Sequence, residues 1–114
     1  MGDVLTRGCH VSLALDAESS AIGFVEASKR FDYVNGTSTS PVVFLEGLYV
    51  VPEWRRQGIA HALVAGVEQW ARAQGCCELA SDCLFENVAA HAVHRALGFE
   101  ETERVIYFRR PVRG

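Results

Sequence analysis

The chain has 114 residues, of which 49% are hydrophobic, and a formal net charge of −3. That length fits a single domain, 1–114, with enough apolar content for a packed core, which excludes a disordered linker or tail. Mild acidity argues against a nucleic-acid partner, and no apolar run reaches the length of a membrane span, so neither partner is expected.

No basic stretch followed by an apolar one opens the chain between Met1 and Asp16, so no secretory signal is expected. The four cysteines, Cys9, Cys76, Cys77 and Cys83, form no C-x-x-C pattern. They read as reduced, buried residues of a cytoplasmic protein. Residues 10–15 alternate, with Val11, Leu13 and Leu15 on one face of a strand. After a turn at 16–20, residues 21–28 return as the second strand of a hairpin. Gly23 within it marks a bulge or a close backbone approach. A polar loop, 35–41, is rich in turn formers. Residues 42–51 form a third, β-branched strand interrupted by Glu46 and Gly47 and stopped by Pro52.

Residues 56–74 have helical spacing, with Ile59, Leu63, Val67, Trp70 and Ala71 as the buried stripe and Gly75 as the stop. A strand over 76–83 follows, then a helix over 87–97 with Ala89, Ala92, Val93 and Ala96 inward and Gly98 at its end. A last strand covers 104–110, where Val105 and Tyr107 alternate with Ile106 and Phe108. The order β-β-β-α-β-α-β joins an antiparallel hairpin to a parallel crossover, so the fold class is α/β with a mixed sheet flanked by helices.

Between the third strand and the first helix lie Arg55, Arg56, Gln57 and Gly58. Such a turn gathers main-chain N–H groups that the helix itself cannot satisfy. An anion, most naturally a phosphate, suits that place, and the helix dipole adds about 0.5–2 kcal/mol. The plainer reading makes Arg55 and Arg56 solvated charges on an ordinary turn.

Residues 55–60, Arg-Arg-Gln-Gly-Ile-Ala, fit the pattern Gln/Arg-x-x-Gly-x-Gly/Ala, and a second helix runs from Glu86-Asn87 to Leu97-Gly98-Phe99. In that order the two segments resemble the acetyl-coenzyme A sites of the GNAT superfamily of N-acetyltransferases. The blocks at 31–36, 40–47, 80–82 and 97–106 look like those of the aminoglycoside 6'-N-acetyltransferases. That resemblance spans roughly 22–110. It implies the GNAT acyl-CoA N-acyltransferase fold, but without the strand and two helices that ordinarily precede the hairpin and wall the amine pocket. It also implies acetyl-CoA as cosubstrate. Arg56, Gln57, Gly58, Ile59, Ala60 and His61 would then hold the pyrophosphate. Leu48, Tyr49 and Val50 would offer backbone groups to the pantetheine arm, and Asn87 would bond that arm or cap its own helix.

Acetyl transfer requires an amine that can lose a proton and a cleft that holds the substrate's other charges. Glu46 is a charge in an apolar strand, an expensive place unless function or a partner compensates. Asp82 ends the strand after the crossover, where α/β sheets bind ligands. Both match substrate-binding carboxylates of the resembled family, and the resemblance gives them the catalytic role of holding ammonium groups and relaying the proton. The plainer alternatives are an arginine partner for Glu46 and a capping role for Asp82. Tyr33 and Glu103 fall on substrate-contact positions by the same resemblance. His94 stands where many relatives carry a tyrosine able to protonate the leaving thiolate, although a packed histidine explains it equally. His91 and His94 lack a third ligand, so no metal is expected. Cys83 has no local base and reads as buried rather than nucleophilic.

The expected activity is acetylation of a primary amine, by resemblance the 6'-amine of an aminoglycoside antibiotic. The alternatives are another amine (a polyamine, peptide or protein lysine) or a non-catalytic coenzyme-binding homologue. The open edge and apolar face of the hairpin lead us to expect a homodimer.

Overall fold

The computed structural model describes residues 8–32, 34–83 and 86–112. Among these residues four strands form one sheet in the order β1-β2-β3-β4: β1 Cys9–Leu15, β2 Ala21–Arg30, β3 Val42–Val50 and β4 Leu79–Ala80. The first three are antiparallel, and β4 runs parallel to β3. A 3-10 turn at Pro52–Trp54 leads toward α1, Ile59–Ala73, and the second helix, α2, covers Val88–Ala96. The expected mixed α/β sheet is therefore present.

The core lies between α1 and one face of the sheet. Val25, Ala27, Val43 and Leu45 meet Leu63, Val67 and Ala71 of the helix, and all are buried. The expected stripe of α1 holds, with Ile59 and Trp70 packed at its margins. In β1 the apolar set faces the other way. Ala14 and His10 lie on the α1 side, where the His10 ring is 5.6 Å from that of Trp70. Val11, Leu13 and Leu15 point outward and are more than half exposed. Phe24 and Tyr49 continue this outer face, because strand pairing sets Leu13 opposite Phe24 and Phe24 opposite Tyr49.

Several expectations are corrected. The helix expected from Arg56 starts at Ile59, because Arg56 and Gly58 both take left-handed backbone, φ 65 and 81. The strand expected over 76–83 contracts to Leu79–Ala80, since β3 offers it only Val43 and Phe44 as partners. Residues 104–110 are not a strand. They are exposed, and among the described residues no strand of the sheet is paired with them; an apolar run becomes a strand only on a paired edge. In α2 the expected inward residues Ala89, Ala92, Val93 and Ala96 are exposed, while Ala90, His91, His94 and Leu97 are half-buried. The side carrying polar anchors, not the small apolar stripe, faces the sheet. Among the cysteines only Cys76 is buried; Cys9, Cys77 and Cys83 are exposed thiols.

Gly23 is required by a close approach. A Cβ built there would lie 2.9 Å from the Tyr49 carbonyl oxygen across the β2–β3 ladder. The register slips beside it, where Ala14 pairs with Gly23 but Leu15 pairs with Ala21. Gly23→Ala should therefore destabilise the fold by about 1–3 kcal/mol, the usual range for forced overpacking. Urea unfolding would read this as a lower midpoint at unchanged slope. An unchanged midpoint would show that the strands separate there without cost.

Candidate functional site

The turn between β3 and α1 is built from its backbone. Arg56 at φ 65 is a non-glycine residue in the left-handed region, a conformation costing on the order of 1 kcal/mol that the surrounding structure must hold. Gly58 at φ 81 reaches the same region without a Cβ to object. It also caps α1: its carbonyl accepts from the Ala62 N–H at 3.0 Å, and no side chain caps this end of the helix. The N–H groups of Ile59, Ala60 and His61 therefore have no intrahelical acceptor and point out of the helix end. Arg56, Gln57 and His61 are exposed beside them.

Arg55 departs from the solvated-charge reading. Its Nε donates to the Val50 carbonyl at 2.7 Å, and its guanidinium lies 5.4 Å from the Tyr49 ring centroid. It thus ties the turn to the end of β3.

β3 has an unshared edge. On one side it pairs with β2 from Val42 to Val50, while on the other only Val43 and Phe44 pair with β4. Beyond Phe44 the two parallel strands part. The Val51 N–H donates to Ile22 in β2 at 2.9 Å. Alternation then turns the polar groups of Tyr49 toward β2 and those of Leu48 and Val50 toward the free edge. Of Leu48, Tyr49 and Val50, two direct main-chain groups to that edge, and the Val50 carbonyl is already engaged by Arg55.

A cleft of ≈ 1750 Å³ opens where the strands part. Glu46, Asp82 and Glu103 all line it, so three residues far apart in sequence share one wall system. Tyr33 lies outside the described residues. Among the described residues, eight carboxylates line the cleft against three guanidinium groups. Among the described residues, Asp82, Glu86, Glu100 and Glu103 carry no ion pair.

Glu46 has the arginine partner foreseen as its plainer alternative. Arg30 Nη2 lies 2.7 Å from Oε2, and the Ser28 hydroxyl donates to the same oxygen. Partial burial pushes the carboxyl's pKa up. The Ser28 and Arg30 bonds outweigh that and hold it below the ordinary glutamate value. Glu46 is therefore an ionised carboxylate at neutral pH. The pair is half exposed, and such pairs contribute about 0–1 kcal/mol, so a competing cation can displace Arg30 at little cost.

Two further residues position the cleft. Glu78 accepts the Ser38 and Thr39 N–H groups at 2.9 and 2.8 Å and the Thr39 hydroxyl as well, pinning the 35–41 loop to the start of β4. Sequence reasoning passed over it, although a charge in an apolar strand is the signal that singled out Glu46. His94 joins α2 to the sheet. Its Nδ1 lies 2.8 Å from the Ala90 carbonyl and its Nε2 2.8 Å from the Ser81 hydroxyl. The carbonyl needs a donor, so Nδ1 carries a proton, and Nε2 is engaged by the Ser81 hydroxyl. With both nitrogens engaged, His94 is the packed histidine of the plainer reading. Asn87 caps α2, its Oδ1 accepting from the Ala90 N–H at 3.0 Å, which leaves its amide NH2 for any other partner.

The sequence profile of the Acetyltransferase (GNAT) family matches residues 4–99. The chain belongs to that family. It is 58% identical over 102 residues to an aminoglycoside N(6')-acetyltransferase type 1 of Stenotrophomonas maltophilia, covering 90% of this chain and 67% of that protein. Its fold superposes on the aminoglycoside antibiotic 6'-N-acetyltransferase AAC(6')-Ih of Acinetobacter baumannii with a TM-score of 0.91 at 50% identity, over 96% of this chain and 74% of that one. A second similar structure, AAC(6')-Iy in complex with the bisubstrate analog CoA-S-monomethyl-acetylneamine, matches with a TM-score of 0.89 at 48% identity, over 96% of this chain and 74% of that one. The α/β architecture is thus the GNAT fold.

In this GNAT chain the loop anchor titrates. The Thr39 hydroxyl bond and the Ser38 and Thr39 N–H bonds hold the Glu78 pKa below its ordinary value of 4.5. A depressed carboxylate stabilises above its unfolded pKa, and the contribution is lost as pH falls through the folded value. The Ser38 and Thr39 amide resonances should therefore move together as pH falls, with a midpoint below the ordinary glutamate value of 4.5. A midpoint at or above 4.5 would contradict the anchor.

Proposed function

We propose that this chain transfers the acetyl group of acetyl-coenzyme A to a primary amine, the 6'-amino group of an aminoglycoside antibiotic. One observation carries the reading: β3 leads from an acidic cleft at Glu46 to a donor-rich turn at Gly58. A polycationic acceptor and a diphosphate-bearing donor are the ligands those two ends suit. The names of the similar proteins support the same pair of substrates.

The turn fits the coenzyme. Its free N–H groups suit the pyrophosphate, and Gly58 and Ala60 allow close approach. The free edge at Leu48 and Val50 suits the amide-bearing arm, and the Asn87 amide is available to it. Bound there, acetyl-coenzyme A supplies an acyl group activated as a thioester. The chain's own residues do the rest. Glu46, ionised and weakly paired, holds an ammonium group of the acceptor. Its lowered pKa makes it a poor proton acceptor near neutrality. Asp82, with no ion pair among the described residues, takes the proton of the attacking amine directly or through water. Glu103 and Tyr33 complete the acceptor's surroundings. The protein acts as a homodimer in the cytoplasm.

A thiol-release assay with acetyl-coenzyme A and kanamycin or tobramycin tests this. Turnover is expected, with kcat/KM falling on the order of 100-fold or more in Asp82→Asn and by a smaller factor in Glu46→Gln. The Glu46 change should act mainly on KM and the Asp82 change on kcat. Turnover with polyamines or peptides alone would replace the aminoglycoside by another amine. Coenzyme binding without any turnover would make the chain a non-catalytic relative.

A further inference from the structure

Gly36 and Thr102 both line the acidic cleft, and they meet there. A Cβ built on Gly36 would overlap the Thr102 hydroxyl oxygen and lie 3.2 Å from the Thr102 Cβ. Gly36 also takes left-handed backbone, at φ 84, so a residue with a side chain is excluded twice over. The loop before β3 therefore rests directly on the segment after α2. Next to Thr102 stands Glu103, which lines the cleft as well. Among the described residues no hydrogen bond or ion pair holds its side chain. Its place thus follows from the backbone beside it. That backbone is closed on itself by the Glu101–Arg104 pair and leans on the loop through Thr102.

The loop has its own shape. The Thr37 N–H and hydroxyl both donate to the Val34 carbonyl, at 3.2 and 2.7 Å, and close a turn around Asn35 and Gly36. At its base the Ser40 hydroxyl donates to the Phe31 carbonyl at 2.7 Å. Those bonds shape the loop without tying it to β4. Glu78 makes that tie. The Ser38 N–H, the Thr39 N–H and the Thr39 hydroxyl all converge on its Oε1, and bonds to a carboxylate are stronger than neutral ones. Glu78 is itself fixed, because its own carbonyl accepts from the Val43 N–H of β3 at 3.1 Å. Glu78 and Asp82 bracket β4, so one short strand carries both the loop's anchor and a wall of the cleft.

We infer that Glu78 is a positioning residue for the acceptor: through Ser38, Thr39 and the Gly36–Thr102 contact it holds Glu103 at the cleft that Glu46 and Asp82 also line. The inference rests on the acceptor reading given above and adds the device that fixes the cleft's far wall. Glu78 acts through the loop, and Glu103 is the group that meets the acceptor. Truncating the anchor should then weaken acceptor binding without touching the coenzyme turn, which lies at the other end of β3.

Steady-state kinetics with kanamycin and acetyl-coenzyme A test this together with amide resonances. Glu78→Ala should raise the KM for kanamycin about tenfold, with kcat and the KM for acetyl-coenzyme A little changed, because only binding to the acceptor is lost. Glu78→Gln keeps an acceptor oxygen for the same three donors and should restore most of the affinity. Glu103→Gln should cost about as much as Glu78→Ala, and the double variant no more than either, since the two act as one unit. In Glu78→Ala the Gly36, Thr102 and Glu103 amides should all shift. Thr39→Val, which removes only the hydroxyl bond, should give a milder form of both results and serves if Glu78→Ala fails to fold. Additive losses in the double variant, or Thr102 and Glu103 amides unmoved by loss of the anchor, would overturn the inference. No turnover by the unaltered chain would overturn the proposed function instead, and the amide shifts would still decide whether Glu78 places Glu103.

Discussion

The site depends on one failure of pairing. β3 is bonded to β2 along its whole length but to β4 at only two residues, Val43 and Phe44. Past that point the parallel strands diverge, and the polar groups of Leu48 and Val50 have no neighbour within the sheet. An unpaired edge of this kind is a template for an extended ligand. The divergence also opens the cleft, exposing Glu46 on one strand and Asp82 beyond the end of the other. A fully zipped sheet would bury that edge and leave no room for two substrates to meet.

The turn after β3 is fixed to the end of that strand. Arg55 binds the Val50 carbonyl, so the turn cannot drift from the strand end. Arg56 and Gly58 then take left-handed backbone, which sets the direction of α1 and leaves its first N–H groups facing outward. α1 is held in turn by the core beneath it. Leu63, Val67 and Ala71 lock the helix on Val25, Ala27, Val43 and Leu45, and so fix the donor end relative to β3. Packing energy far from any ligand thereby orients the groups that would touch one.

Much of this was legible in the sequence because its signals are local. The hairpin, the α1 stripe, the strand stop at Pro52 and the glycine in the turn each follow from a few adjacent residues. What was missed depends on partners. Residues 104–110 have the composition of a strand, but composition does not supply a neighbouring edge. The Val11, Leu13 and Leu15 alternation identified a strand face correctly but not which face α1 would cover. In α2 the His94 side with its hydrogen bond to Ser81 faces the rest of the fold, whereas apolar spacing pointed to the alanines. Glu46 and Glu78 show the same limit from the other side. Both are charges in apolar strands, yet one faces the cleft with Arg30 and the other pins a loop. Only the fold distinguishes them.

The central claim is that main-chain donors around Gly58 recognise a diphosphate. Calorimetry comparing coenzyme A with pantetheine, which lacks the diphosphate and the nucleoside attached to it, tests it most directly when read beside a variant of the turn. The account predicts that coenzyme A binds at least about 100-fold more tightly, a difference of about 2.7 kcal/mol. It also predicts that Gly58→Val weakens coenzyme A while leaving pantetheine unchanged. Equal affinity for the two ligands, or no affinity for coenzyme A, would contradict it.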